Sequence, residues 1–149
     1  MKRIFVDADK CDGCLNCTTA CMQAHRKNSG TVYDLKLTDI ENESRNHVLM
    51  GGGGYKPIFC RHCDQPECVM SCMSGALSKD SESGHVKYDG QKCGSCFMCV
   101  MNCPYGVLKP DAKTRSKILK CDFCAEHGEE PSCVKACPTQ AIYVREVEA

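Results

Sequence analysis

The chain has 149 residues, and its 19 basic residues balance 19 acidic ones, which removes the electrostatic footprint of a nucleic-acid binder or an anionic-membrane binder. Aromatic residues are scarce, Trp is absent and 26% of residues are charged, so ordinary apolar burial leaves a marginal core. The chain nevertheless carries 16 cysteines, above the roughly 8–10% at which a short sequence reads as a cysteine-based scaffold.

The N-terminus alternates over residues 3–6, which predicts a short strand, and Asp7 interrupts the apolar residues before a secretory signal can form. No apolar run approaches the roughly 18–20 residues that span a bilayer, so no direct membrane insertion is expected. A cytoplasmic location follows, and its reducing conditions favour metal–thiolate ligation over disulfides. The first cysteine group is Cys11, Cys14, Cys17 and Cys21, and residues 17–26 are read as a short helix.

Residues 27–55 then form a loop-rich insertion with scattered charges, ending in Gly51, Gly52, Gly53 and Gly54. These glycines lack the Lys-Ser/Thr of a phosphate-binding loop and the spacing of a dinucleotide fingerprint, which leaves flexibility or a tight backbone approach. Because the cysteine framework does not require this insertion, it is the first candidate for partner docking.

The second group is Cys60, Cys63, Cys68 and Cys72, followed by a predicted strand over residues 85–88. The third is Cys93, Cys96, Cys99 and Cys103, with a short helix over residues 99–102. The fourth is Cys121, Cys124, Cys133 and Cys137, with a short helix over residues 134–136 and a last strand over residues 141–144. An apolar residue returns at one offset after the last three groups, as Leu77, Leu108 and Ile142. Four like groups, with no cysteine left over, make an internal repeat.

Groups one and three have the spacing C-x2-C-x2-C-x3-C, while groups two and four lengthen the middle gap to four and eight residues. This is the bacterial ferredoxin pattern, in which three close thiolates hold one 4Fe–4S cluster and the fourth cysteine crosses to another cluster. Four 4Fe–4S clusters are therefore the expected cofactors. Zinc ribbons use two separated cysteine pairs rather than three cysteines in seven residues, and no C-x-x-C here precedes the histidine that haem attachment requires.

Only 20 residues separate Cys72 from Cys93, so groups two and three can exchange fourth ligands within a compact unit, leaving groups one and four to pair. The expected ligand sets are Cys11, Cys14, Cys17 and Cys137; Cys121, Cys124, Cys133 and Cys21; Cys60, Cys63, Cys68 and Cys103; and Cys93, Cys96, Cys99 and Cys72. Pairing in order of sequence is the alternative. The expected fold is α+β and loop-rich: two nested bacterial-ferredoxin-like two-cluster modules with short strands and short helices, in one compact unit. The outer module is residues 1–26 plus 109–149, residues 56–108 form the inner module, and the two terminal strands are expected to meet.

The order of the motifs resembles the four-cluster electron-transfer subunits of formate dehydrogenases, dimethyl-sulfoxide-reductase-type enzymes and hydrogenases. The stretch from Cys68 to Leu77, with Met73 rather than proline after the fourth cysteine, looks like the ferredoxin-like protein of carbon monoxide dehydrogenase. The resemblance implies the same nested ligand pairing and an electron-transfer subunit of anaerobic metabolism with no substrate site of its own. Its partner would be a catalytic redox subunit such as carbon monoxide dehydrogenase, formate dehydrogenase or hydrogenase. Because the chain ends soon after its last predicted strand, it looks like a minimal soluble member. A structural metal protein, holding zinc or redox-silent clusters, is the alternative function.

His25, His47, His62, His85 and His127 are dispersed and read as surface or ligand-supporting residues rather than catalytic ones. His62, between Cys60 and Cys63, reads as a solvated loop residue, with tuning of a cluster as the alternative. Lys10, Lys92 and Lys120 each directly precede a motif's first cysteine, where an ammonium would favour a reduced cluster or simply be solvated.

Overall fold

In the computed structural model, described for residues 1–27, 30–126, 128 and 130–148, every strand is short because cysteine loops interrupt the chain at close intervals. The first strand, β1 (Lys2–Val6), alternates faces, burying Ile4 and leaving Phe5 free to stack on Tyr143 with ring centroids 6.0 Å apart. The helix α1 (Asn16–His25) carries Cys17 and Cys21 of the first cysteine group and lies within a residue of its expected span.

Next come β2 (His47–Gly51) and β3 (Gly54–Ile58), an antiparallel hairpin within and just beyond the segment read as a loop-rich excursion. Its two-residue turn places Gly52 and Gly53 at φ of 61° and 84°, a conformation that favours glycine at both central positions. The glycine run is thus a hairpin turn. Exposure of most of both strands, and Pro57 within β3, erased the alternation that announces a strand.

The chain continues through α2 (Glu67–Met70), β4 (Leu77–Lys79), β5 (Val86–Tyr88), α3 (Met98–Met101), β6 (Lys109–Pro110), β7 (Ile118–Leu119), α4 (Ser132–Lys135) and β8 (Ile142–Glu146). The sheets are four antiparallel two-stranded ribbons: β1–β8, β2–β3, β4–β5 and β6–β7. In the first, Ile4 lies opposite Val144 and Val6 opposite Ile142, so the two ends of the chain meet as expected. The Met1 amino group donates to the Val147 carbonyl at 2.6 Å and closes the ribbon.

Helices α1 and α4 pack together, as do α2 and α3. Two small cores result. One joins Leu77, Val86, Val107, Leu108 and Ile118 to Cys60 and Cys99; the other joins Ile4, Phe59, Phe123 and Ile142 to Cys133. The recurring apolar residues Leu77, Leu108 and Ile142 are all buried. Cysteines sit inside both cores, so the apolar packing and the candidate ligands occupy the same volume. Among the described residues, no helix is long and apolar enough to cross a membrane.

Candidate metal centres

The same backbone geometry recurs at all four cysteine groups. The residue before the second cysteine is left-handed each time: Gly13 at φ 75°, His62 at 45°, Ser95 at 57° and Phe123 at 62°. At three of these the residue is not glycine, which costs about 1–2 kcal/mol each. Repeated strain at equivalent positions marks a functional loop, and left-handed turns of this kind aim successive backbone N–H groups into an anion-binding concavity.

The third cysteine of every group, Cys17, Cys68, Cys99 and Cys133, is the second residue of its helix. First-turn N–H groups have no intrahelical acceptor and are available to sulfur. The longer middle gaps of groups two and four each carry a proline, Pro66 and Pro131, at the residue before the helix, so the insertion leaves the helix start unchanged.

The fourth cysteine has its own device. Burial would raise the Cys72 thiol, but the Ser74 hydroxyl and the backbone N–H groups of Leu77, Ala76 and Ser74 outweigh it and hold the thiol below its usual range. Cys137 is lowered in the same way: burial opposes, and the N–H groups of Ile142, Ala141 and Thr139 with the Thr139 hydroxyl prevail. The apolar residue five positions on therefore does two jobs, filling a core with its side chain and meeting sulfur with its N–H.

The structure brings thiols of different groups together, and it does so most plainly at two cavities. Cys11, Cys14, Cys17 and Cys137 line one cavity, roofed by Val48 and Pro57 of the hairpin. Cys72, Cys93, Cys96 and Cys99 line a second, beside Leu77 and Tyr88. Burial pushes the Cys68 thiol up to about 11, with Cys60, Cys103 and Cys63 adding to the rise and Lys120 opposing it. Burial likewise raises Cys133, with Cys121, Cys21 and Cys124 adding to it. Crowded, buried thiols resist ionisation without a counter-charge, and a bound cationic core reverses this by taking them as thiolates. This donor set fits iron–sulfur clusters.

The hairpin segment supplies supports that the sequence pattern did not reveal. The Arg45 N–H donates to Cys21 Sγ at 3.2 Å. Asn46 is buried, donates through Nδ2 to the Cys17 carbonyl at 3.1 Å and accepts from the Thr18 hydroxyl at 3.1 Å. Tyr55 lies over Gly13. The Ser-Arg-Asn run from Ser44 to Asn46 carries no motif, and its contacts 24 to 29 residues away exist only through the fold.

His62 is buried at 1% exposure, which corrects the reading of a solvated loop residue. The left-handed turn at His62 rotates its ring inward between His85, at 4.7 Å, and Phe123, at 6.0 Å. The three motif-preceding lysines part company. Lys10 and Lys92 are solvated and pair with Asp7 and Asp89 three residues earlier, whereas Lys120 is buried behind β7. An aspartate three positions before the lysine was the distinguishing signal in the sequence, since Lys117 stands there for Lys120. His25 and Arg45 both meet Asp122, a bridge between α1 and the fourth group. His127 lies outside the described residues.

A loop-rich α+β chain whose paired cysteine loops gather four thiols at a time is a ferredoxin-like iron–sulfur protein. A family model described as a 4Fe–4S dicluster domain matches residues 53–147, and the chain belongs to this family of electron-transfer proteins. It is 33% identical to the electron transport protein HydN of Escherichia coli, covering 93% of this chain and 85% of that one. It is 37% identical to the beta subunit of NADH-dependent phenylglyoxylate dehydrogenase of Aromatoleum evansii, covering 93% of this chain but 29% of that subunit. Among solved structures, a chain of the active-site complex BamBC of benzoyl-coenzyme A reductase with benzoyl-CoA superposes with a TM-score of 0.50 at 29% identity, over 99% of this chain and 82% of that one.

Proposed function

We propose that the chain holds four 4Fe–4S clusters and relays electrons between a catalytic redox subunit and a hydrogenase or other oxidoreductase, with carbon monoxide dehydrogenase or formate dehydrogenase as the catalytic side. The observation that supports this is that Cys137 lines one cavity with Cys11, Cys14 and Cys17, and Cys72 lines another with Cys93, Cys96 and Cys99, a fourth thiol from another group joining three from one group each time. The ligand sets are those of nested pairing: Cys11, Cys14, Cys17 and Cys137; Cys60, Cys63, Cys68 and Cys103; Cys93, Cys96, Cys99 and Cys72; Cys121, Cys124, Cys133 and Cys21. The names of the relatives support a partnership with an oxidoreductase.

When bound, each cluster supplies one-electron redox chemistry. The chain supplies the rest. Backbone N–H groups at the left-handed turns and helix starts favour the anionic sulfur, and Val48 and Pro57 of the hairpin cover part of the first set. Cys14 and Cys96 are the two exposed thiols, and they belong to different modules, so electrons would enter and leave at separate faces. No substrate site of its own is assigned to the chain, and its activity is that of a cytoplasmic electron carrier.

A mediated anaerobic redox titration of the reconstituted chain, followed by visible absorbance, tests the relay. Reversible bleaching by one electron per cluster is expected. Clusters that never change oxidation state at accessible potentials would leave a structural role in its place.

A further inference from the structure

Resting on the four-cluster reading, we propose that His62 and Lys120 are positioning residues that act as a donor pair at the junction of the two modules and raise the reduction potentials of the clusters held by the second and fourth cysteine groups. Both side chains are clamped to one residue. The Val86 N–H donates to His62 Nδ1 at 2.9 Å, and the Val86 carbonyl accepts from Lys120 Nζ at 2.6 Å.

A ring nitrogen that accepts a hydrogen bond carries no proton, so the His62 proton resides on Nε2. That atom is buried and has no partner among the described residues. His85 does not serve it: the two rings lie 4.7 Å apart between centroids, and no hydrogen bond joins them among the described residues. A buried donor without an acceptor is unfavourable, and a cluster held by Cys60 and Cys63, two residues before His62 and one after it, would supply sulfur acceptors close by.

Lys120 poses the same problem as a charge. It is 5% exposed, its Nζ donates to the carbonyls of Val86 and Cys121, and no carboxylate pairs with it among the described residues. A buried ammonium needs a counter-charge. A 4Fe–4S core with four thiolates is anionic and gains one more negative charge when it takes up an electron, so a fixed cation and a fixed N–H donor both favour the reduced form. Lys10 and Lys92, at the equivalent positions of the first and third groups, are solvated beside Asp7 and Asp89 and are screened. The second and fourth clusters should therefore be the high-potential pair.

The test is a mediated anaerobic titration with dithionite as the electron donor and EPR detection, after iron and sulfide have been counted in each sample. In wild type, two clusters should titrate above the other two, and Cys14→Ser should delete a low-potential component. All four titrating together, or loss of a high-potential component in Cys14→Ser, overturns the proposal without needing either variant of the pair. Lys120→Met and His62→Phe should lower the reduced-to-oxidised ratio of the high pair about tenfold at fixed potential, equivalent to about 59 mV, while Lys120→Arg retains it. Full iron content with unmoved midpoints refutes the pair's role, whereas wild-type protein lacking iron and sulfide refutes the cluster reading beneath it.

Discussion

Replacing Gly13 with alanine should loosen the hairpin from the first thiol set, and the structure sets the size of the effect. Gly13 has φ of +75°, and a Cβ there would lie 2.5 Å from both Cδ1 and Cε1 of the Tyr55 ring. The left-handed backbone costs an L residue about 1–2 kcal/mol, and forcing a methyl into a filled site costs about 1–3 kcal/mol. Tyr55 is 36% exposed and can swing outward, which puts the second cost at the low end of its range. The sum is about 2–4 kcal/mol, a drop of roughly 4–16 °C at about 2–4 °C per kcal/mol in a chain of this size. Anaerobic melts of cluster-loaded protein at a single scan rate, followed by cluster absorbance, would measure it. In a Tyr55→Ala background the clash is gone and only the backbone cost of about 1–2 kcal/mol should remain. An equal drop in both backgrounds would refute the packing argument, and no drop in wild type would refute both parts.

Cys14→Ser and Cys137→Ser should each remove the same cluster, about four irons, and the double variant should lose no more than either single one; loss of two clusters in the double variant, by iron count and EPR, would contradict nested pairing. Asn46→Ala should destabilise the protein by about 1–3 kcal/mol, because it strands the Cys17 carbonyl and the Thr18 hydroxyl, and a melt within error of wild type would show that water replaces both bonds. Burial opposes the charge on His25, but hydrogen bonds to Asp122 and Cys21 raise its pKa from 6.5 to about 10. Stability from that charge is complete below pH 6.5 and lost as pH rises through about 10, so wild-type melts should fall across that window and those of His25→Gln should not.

What was legible in the sequence was whatever local spacing enforces. The cysteine groups and the helix that contains Cys17 depend on neighbours a few residues away, the terminal strands showed their alternation locally although they pair across the whole length of the chain, and the apolar residues Leu77, Leu108 and Ile142 declared their burial by recurring at one offset. The hairpin of β2 and β3 escaped because its strands are mostly exposed and it is held by Tyr55 against Gly13, a long-range contact without a local signature. Its four glycines did carry a signal, since two adjacent residues with positive φ are what a two-residue turn demands. His62 and Lys120 were visible only as positions in a repeat; that one residue, Val86, fixes both of them is a property of the fold.

The central claim, that the sixteen thiols hold four cubane clusters, is tested most directly by anaerobic quantitation of iron and acid-labile sulfide in the purified, reconstituted chain. About sixteen irons with a matching amount of sulfide per chain are expected from four 4Fe–4S clusters. Zinc without sulfide, or about half that iron after full reconstitution, would contradict the four-cluster account and turn the thiol sets into structural metal sites or partly empty ones.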